Sequence, residues 1–255
     1  MTASLDIVIP VLNEEYRLVS SINKLHSFAT SHLSKFEWNI LIADNGSTDS
    51  TKQFCIDLSS ELPNVGYIYL KQRGRGRALK KAWLGSEADI VCYMDVDLST
   101  DLAALPHLVS VLETGEYDLC IGSRLSSEST VIGRKLTREV ISRIYNLMIH
   151  MLFFTRFQDA QCGFKAVSKK AVRALVPFVK DNAWFFDTEL LVVAEKNGYR
   201  IKELPVIWTD DPDSRVRILK TALEDVKGLV RLRFGGLKRA SNLVLLQQEE
   251  THTNP

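Results

Sequence analysis

The chain has 255 residues, 45% hydrophobic and 25% charged, which suits a globular protein with one large core. A net charge of +1, from 32 Lys and Arg against 31 Asp and Glu, excludes a general polyanion binder, so no nucleic-acid partner is expected. The four cysteines, Cys55, Cys92, Cys120 and Cys162, lack the close spacing of zinc or redox sites; two of them lie in apolar strand-like runs and read as small core residues, and the set suits a reducing, cytoplasmic protein.

The N-terminal MTASLDIVIP meets acid at Asp6 and has no basic start or long apolar stretch, so no signal peptide is expected. Short β-branched runs then alternate with helix-length apolar periodicity. Strands are predicted over 5–11 (LDIVIPV), 38–44 (WNILIAD), 66–70 (GYIYL), 89–95 (DIVCYMD) and 117–123 (YDLCIGS), with helices between them. That alternation predicts an α/β fold, a largely parallel sheet with helices on both faces. Ligands of such sheets bind beyond the carboxyl ends of the strands. There the chain places NEE, DNGSTD, KQRGRGR, DVD and GSR, one cluster after each strand.

Beyond residue 123 the pattern changes to a Ser- and Thr-rich loop, a helix over 136–157, the stretch QDAQCGFKAVS, and a helix near 169–176. A further helix is predicted within 184–198 and a strand within 200–210. The run LMIHMLFF is far short of the roughly 20 apolar residues that span a bilayer. Residues 138–154 set Ile141, Ile144, Leu147, Met148, Met151 and Leu152 at helical spacing, either facing the core or lying at a membrane interface. Residues 214–240 read as a basic amphipathic helical segment suited to anionic headgroups or to water, and 241–255 as a polar tail.

Asp95 and Asp97 follow the fourth predicted strand. In a strand, residues i and i+2 share a face, so both carboxylates are expected to turn toward one hard divalent cation while Val96 packs the other way; a solvated strand end is the alternative. In KQRGRGR, Gly74 and Gly76 permit a tight turn, and Arg73, Arg75 and Arg77 offer forks to phosphate or simply begin a basic helix. Asp44 ends a strand before Ser47, a candidate helix cap; Pro10 is expected to end the first strand and Asn13 to cap a helix. The five histidines, His107 and His150 among them, have no spacing that implies metal or nucleophilic chemistry.

Taken in order, IPVLNEE, IADNGSTDST, RGRGRA, DVDLST, GSR, QDAQCGFKA and WFFDTELL resemble the inverting glycosyltransferases of family 2, over about residues 5–235. DAQCGFKAVSKKAV and WFFDTELLVVA are most similar to the dolichyl-phosphate β-glucosyltransferase and dolichyl-phosphate mannosyltransferase branch. The resemblance implies a GT-A fold, a Rossmann-like and mostly parallel central sheet flanked by helices, with residues 1–213 as the catalytic domain and the amphipathic segment after it. It implies a UDP- or GDP-hexose donor of the UDP-glucose or GDP-mannose type, Mg²⁺ or Mn²⁺, and a polyprenyl-phosphate acceptor.

By the same resemblance Pro10, Leu12, Asn13, Glu14, Asp44, Asn45, Asp95 and Val96 would hold the nucleoside, and Arg75 and Arg77 the rest of the donor. Asp97 would be the principal metal ligand, with Asp95 contacting the ion or the ribose. Asp159 and Asp187 would sit at the reacting centre, with Glu189 either functional or a helix-dipole partner. Arg124, Lys165 and Arg215 would clamp the acceptor phosphate, Lys165 standing where many relatives have Arg. Trp184, Phe185 and Phe186 are expected to pack in the core. A hydroxyl acceptor needs a general base, whereas a phosphate acceptor arrives ionised and needs cations. Relatives often add transmembrane helices; the absence of one in this sequence implies peripheral attachment at the cytoplasmic face or a membrane-anchored partner.

Overall fold

A computed structural model describes residues 2–211, 218–238, 240, 241 and 244. In chain order the elements are β1 (Ala3–Val11), α1 (Leu18–His32), β2 (Phe36–Asp44), α2 (Thr51–Glu61), β3 (Val65–Tyr69), α3 (Arg75–Gly85), β4 (Ile90–Met94), α4 (Leu105–Glu113) and β5 (Leu119–Ser123). They continue with β6 (Thr130–Ile132), α5 (Leu136–Phe153), β7 (Phe164–Ser168), α6 (Lys169–Leu175), α7 (Phe186–Lys196), β8 (Ile201–Pro205), β9 (Ile207–Thr209) and α8 (Ile218–Arg231).

The central sheet has the order β3-β2-β1-β4-β7-β5-β8. β4 and β5 are buried from end to end because both faces of the sheet are covered: Leu5, Ile7 and Ile9 of the neighbouring β1 pack toward α1, α2 and α4, while Val8 packs toward the opposite helices. The outer helices bury one stripe, as α1 does with Leu18, Ile22, Leu25 and Ala29, whereas α7 is buried all round from Phe186 to Ala194. α8 joins the core on the other face through Leu229 and, just beyond its end, Leu232, both fully buried.

β7 lies inside the QDAQCGFKAVS stretch, for which no strand was predicted, and pairs antiparallel with both β4 and β5. Its direction matters to the site. An antiparallel strand brings its beginning to the edge where its neighbours end, so residues 159–163 arrive beside Asp95.

The strand expected within 200–210 is two. Pro205 has no N–H to continue a ladder, and after it β9 leaves the main sheet to pair with β6 in a parallel ribbon. The helix expected over 136–157 stops at Phe153, where Phe154 takes φ +52° and its N–H caps the His150 carbonyl at 2.7 Å. The segment expected over 214–240 is not one continuous helix among the described residues, because Phe234 and Gly235 have non-helical torsions. No described helix is long and apolar enough to cross a membrane. All four cysteines are free and buried, including the two outside the apolar strand runs.

Candidate active site

The loops that follow β1 and β2 are knitted together by their polar side chains. Asn13, at φ +57°, donates its N–H to Ser47 Oγ (2.9 Å) and accepts from the Thr48 N–H (2.8 Å). The Glu14 N–H donates to Thr51 Oγ1 (2.8 Å). Ser47 therefore serves Asn13 and is not the cap of α2, and Asn13 caps no helix, since α1 begins only at Leu18. Pro10 lies within β1, which runs one residue further to Val11. Asp44, wholly buried, accepts from the Ser47 N–H through Oδ1 (2.9 Å), while its Oδ2 has no hydrogen-bond partner among the described residues. A buried acceptor left open in this way suits a ligand N–H or hydroxyl. Asn45 donates to the Val11 carbonyl and accepts from the Gly74 N–H. Gly74 takes φ +144°, and a Cβ there would fall 2.3 Å from the Asn182 carbonyl oxygen, so the turn into α3 needs glycine.

Strand alternation does not place the two aspartates of DVD. β4 ends at Met94, and Asp95 and Asp97 sit in a turn beyond it, closed by the Leu98 N–H on the Asp95 carbonyl (3.0 Å) with Leu98 at φ +51°. Val96 is buried. Arg75 bridges two carboxylates, Nη2 to Asp95 Oδ1 and Nη1 to Asp187 Oδ2, each at 2.6 Å. Its guanidinium stands 4.7 Å from the Tyr93 ring centroid and 5.1 Å from that of Trp184. Burial opposes the charge on Arg75, but Asp95, Tyr93 and Asp187 hold its pKa well above the ordinary value.

Asp187 Oδ1 accepts from Tyr93 Oη and lies 3.1 Å from Lys165 Nζ. Burial would raise the Asp187 carboxyl; Lys165 and Arg75 overcome that and hold it below the usual range. Lys165 is fully buried and also donates to the Cys162 carbonyl, so the structure places it as a counter-ion of Asp187 beneath the site. Asp97 is exposed at the rim and accepts from the Ser99 N–H (3.0 Å). The surrounding protein and the charge of Asp95 raise its pKa. Among the described residues no cluster of three or more metal-ligating side chains exists. Two hard carboxylates at an open rim fit Mg²⁺ or Mn²⁺ that takes its other oxygens from a diphosphate and water.

Asp159, in the loop before β7, is fully buried and gripped by Arg124: Nε to Oδ2 at 2.8 Å, Nη2 to Oδ1 at 2.9 Å, and the Arg124 N–H to Oδ2 at 3.0 Å. Burial works against ionisation, yet the guanidinium holds this carboxyl down to about 2. Arg124, Arg134 and Arg138 stand 5.4, 5.9 and 5.8 Å from the Trp208 ring centroid. Arg138 pairs with Asp210. The Arg134 side chain is 5% exposed, with Nη1 2.6 Å from Glu139 Oε2 and Nε without a hydrogen-bond partner among the described residues. Burial and the like charge of Arg124 lower its pKa, the condition of a cation that an anion would relieve. The loop after DVD reaches this cluster, with the Thr209 N–H on the Ser99 carbonyl (2.8 Å) and the Asp101 N–H on that of Ile207 (2.9 Å).

Arg134 and Trp208 carry a functional reading that the sequence did not reveal. The basic run before α5 was the available signal, but only the departure of β9 from the sheet folds Trp208 against it. Arg77 donates to the Arg73 carbonyl at the start of α3. Glu189 is bound by both Nη atoms of Arg231 (2.9 and 2.7 Å) and so has a structural partner. Phe185 and Phe186 are core residues as expected, whereas Trp184 is 42% exposed beside Arg75. Arg215 lies outside the described residues.

Residues 6–176 match the family model described as Glycosyl transferase family 2. The chain is 34% identical to Glycosyltransferase AglD of Haloferax volcanii over 85% of its length, and spans 35% of that protein. It is 28% identical to a dolichyl-phosphate beta-glucosyltransferase of Saccharomyces cerevisiae, covering 91% of this chain and 75% of that one. Among solved structures, glucosyl-3-phosphoglycerate synthase from Mycobacterium tuberculosis aligns with a TM-score of 0.69 at 18% identity, over 91% of this chain and 80% of that one. The same synthase has been crystallised with Mn²⁺, UDP-glucose and phosphoglyceric acid.

Proposed function

The chain belongs to glycosyltransferase family 2, and from that premise we propose that it moves a hexose, with inversion, from a UDP- or GDP-hexose to the phosphate of a polyprenyl phosphate. That it is a GT-A glycosyltransferase is shown by the family match and the fold. The acceptor assignment is carried by one observation, the guanidinium cluster around Trp208 with the unpartnered Nε of Arg134. A phosphate monoester, with a second pKa of about 6, is largely dianionic at neutral pH and needs cations in preference to a base. Asp159 and Asp187 are both held ionised below the usual carboxylate range, far from the near-neutral value a general base needs. In this proposal they orient Arg124 and Arg75, and Lys165 acts through Asp187. Relatives named for dolichyl phosphate support the same acceptor class.

On the donor side, Pro10, Leu12, Asn13, Glu14, Asn45 and Val96 would enclose the nucleoside, with Asp44 Oδ2 accepting from it and Arg77 at the rim. Asp97 and Asp95 would hold Mg²⁺ or Mn²⁺, which supplies Lewis-acid stabilisation of the leaving diphosphate. Arg75 keeps Asp95 and Asp187 at a fixed spacing, and Gly163 leaves room for Asp95, since a Cβ there would fall 1.8 Å from its Oδ2. Arg134→Met is expected to raise the acceptor KM roughly tenfold or more, the worth of a hydrogen bond to a charged group, with the donor KM nearly unchanged. Equal losses for donor and acceptor would remove Arg134 from the acceptor site.

A hydroxyl acceptor would require a base titrating near neutrality. Asp225 is raised to about 7 by burial and by Asp181 and Asp187, but it is 2% exposed and engaged with Gln161, out of reach of an incoming hydroxyl.

The proposal places the enzyme peripherally on the cytoplasmic face of a membrane, or on a membrane-anchored partner. On α5 the outward row is Leu136, Val140, Ile144, Leu147 and Met151, all exposed, while Tyr145, Ile149 and Phe153 face the core. Leu223, Val226, Val230 and Phe234 are exposed on α8 and just after it, beside the exposed Lys227, Arg233 and Lys238. Apolar rows edged by cations suit an anionic lipid surface. Leu147→Glu with Met151→Glu is expected to weaken flotation with anionic vesicles roughly tenfold or more, from two apolar side chains at about 1.5–3 kcal/mol each. Unchanged flotation would reject α5 as the docking face.

A further inference from the structure

The loop between Phe157 and Gly163 touches both halves of the site: Asp159 is forked by Arg124, and Gly163 lies against the carboxylate of Asp95 and accepts the Asp95 N–H (3.2 Å). Its placement is set from outside the site. The Gln158 and Asp159 N–H groups donate to Glu203 of β8 (2.9 and 3.0 Å), and the Ala160 N–H donates to Asn146 Oδ1 of α5 (3.0 Å). Gln161 reaches the other way, donating Nε2 to Asp225 Oδ2 on α8 at 2.9 Å. α8 comes close enough for this because residue 228 is glycine; a Cβ there would fall 2.4 Å from the Phe185 ring.

Asp225 is an unusual anchor. It is 2% exposed, and its Oδ1 is buried with no hydrogen-bond partner among the described residues. The groups whose charge acts on it are Asp181 ahead of α7, Asp187 on α7 and Glu224 beside it on α8, and its own charge acts on Tyr145 of α5, whose hydroxyl is shared with Thr188. Arg231, on the same helix, is committed to Glu189. A carboxylate in that setting would be an uncompensated buried anion among acids, whereas a neutral acid keeps the bond from Gln161 without that cost.

We propose that Asp225 is a positioning residue which, through Gln161, fixes the 157–163 loop and so the placement of Arg124 and Asp95 for transfer. The kinetic readout rests on the transferase reading given above; the melting readout does not. Burial, Asp181 and Asp187 raise the Asp225 carboxyl to about 7. A folded-state value above the unfolded one means that stability present at low pH is lost as pH rises from about 4 to about 7. Ionisation strengthens the Gln161 bond itself but places an unfavourable charge in the buried packing around it, so the anchor should be most stable at pH 6 and less so at pH 8.

The test compares wild type, Asp225→Asn and Asp225→Leu by acceptor kcat/KM from pH 5.5 to 8.5 and by thermal melting from pH 4 to 8. Asparagine keeps an acceptor for Gln161 and cannot ionise; leucine removes the tie. The wild-type value should fall on passing pH 7, Asp225→Asn should lack that fall, and Asp225→Leu should be depressed throughout, by up to roughly 100-fold for a 1 Å displacement of the loop. The ionisation of the acceptor phosphate is common to all three proteins and cancels in the comparison. The melting temperature of Asp225→Asn should gain on wild type as pH rises from 4 to 7. Parallel pH profiles and a constant melting difference for wild type and Asp225→Asn would overturn the proposal, as would wild-type kinetics in a folded Asp225→Leu.

Discussion

Asp97→Asn is expected to reduce turnover roughly 10³-fold at saturating Mn²⁺ while leaving the melting temperature within about 2 °C of wild type. The two halves of that expectation have different causes. Asp97 stands exposed at the rim, and its carboxylate accepts the Ser99 N–H without filling any part of the core. An amide of the same shape keeps that bond, and surface changes of this kind usually shift stability by less than about 0.5 kcal/mol. Because partial desolvation by the surrounding protein and the neighbouring Asp95 charge raise the Asp97 carboxyl, the neutral amide also relieves a repulsion. Turnover is another matter. Lewis-acid stabilisation of a leaving diphosphate is worth several kcal/mol, and about 4 kcal/mol corresponds to a factor of about 10³. Full turnover in Asp97→Asn would sink the metal assignment.

Arg124→Met should be the most destabilising single change at the site, by about 3–5 kcal/mol, because it leaves Asp159 fully buried without its fork. In the wild type the Asp159 carboxyl sits at about 2 against an ordinary aspartate value of 3.8, worth about 2 kcal/mol. That contribution is fully present above about pH 4 and is lost as pH falls toward 2. Removing the guanidinium leaves desolvation as the dominant influence, so the sign reverses: the variant should gain more stability than wild type on acidification from pH 7 to pH 4, beyond the Asp225 contribution that both proteins share. Thermal melts of both proteins over that range read the difference directly. Adding Asp159→Asn to the variant should recover part of the loss, since the remaining buried charge is then gone. A melting temperature within 1 °C of wild type at pH 7 would show that the pair does not hold this part of the sheet edge.

How far the site could be read in advance depended on whether its parts are local. The runs that became β1, β2, β4 and β5 were legible because strands covered on both faces are rich in apolar and β-branched residues, β4 and β5 being buried throughout, and the clusters after them fell at one sheet edge by the geometry of parallel strands. β7 escaped because FKAVS is five residues long and carries Lys165, a residue buried only because Asp187, 22 positions later, neutralises it. Val206 and Trp208 lie in what reads as one strand until Pro205 interrupts the ladder; the arginine cluster depends on that interruption. The turn that presents Asp95 and Asp97 depends on Leu98 in a left-handed conformation, which leucine gives no reason to expect. On α5 the helical period was evident, but which face met the core was not, because apolar residues occur on both. Asp225 and Gly228 would pass for ordinary surface helix residues without the contacts of Gln161 and Phe185.

The most direct test of the central claim is the mass of the organic-phase product formed from a panel of UDP- and GDP-hexoses, Mg²⁺ or Mn²⁺, and a short polyprenyl phosphate, with the matching polyprenol lacking phosphate run in parallel. The account predicts a hexosyl phosphoryl polyprenol from one donor base, no product from the polyprenol, and roughly 10³-fold slower formation by Asp97→Asn. Transfer to the unphosphorylated alcohol or to a sugar hydroxyl, with the lipid phosphate left unmodified, would contradict it.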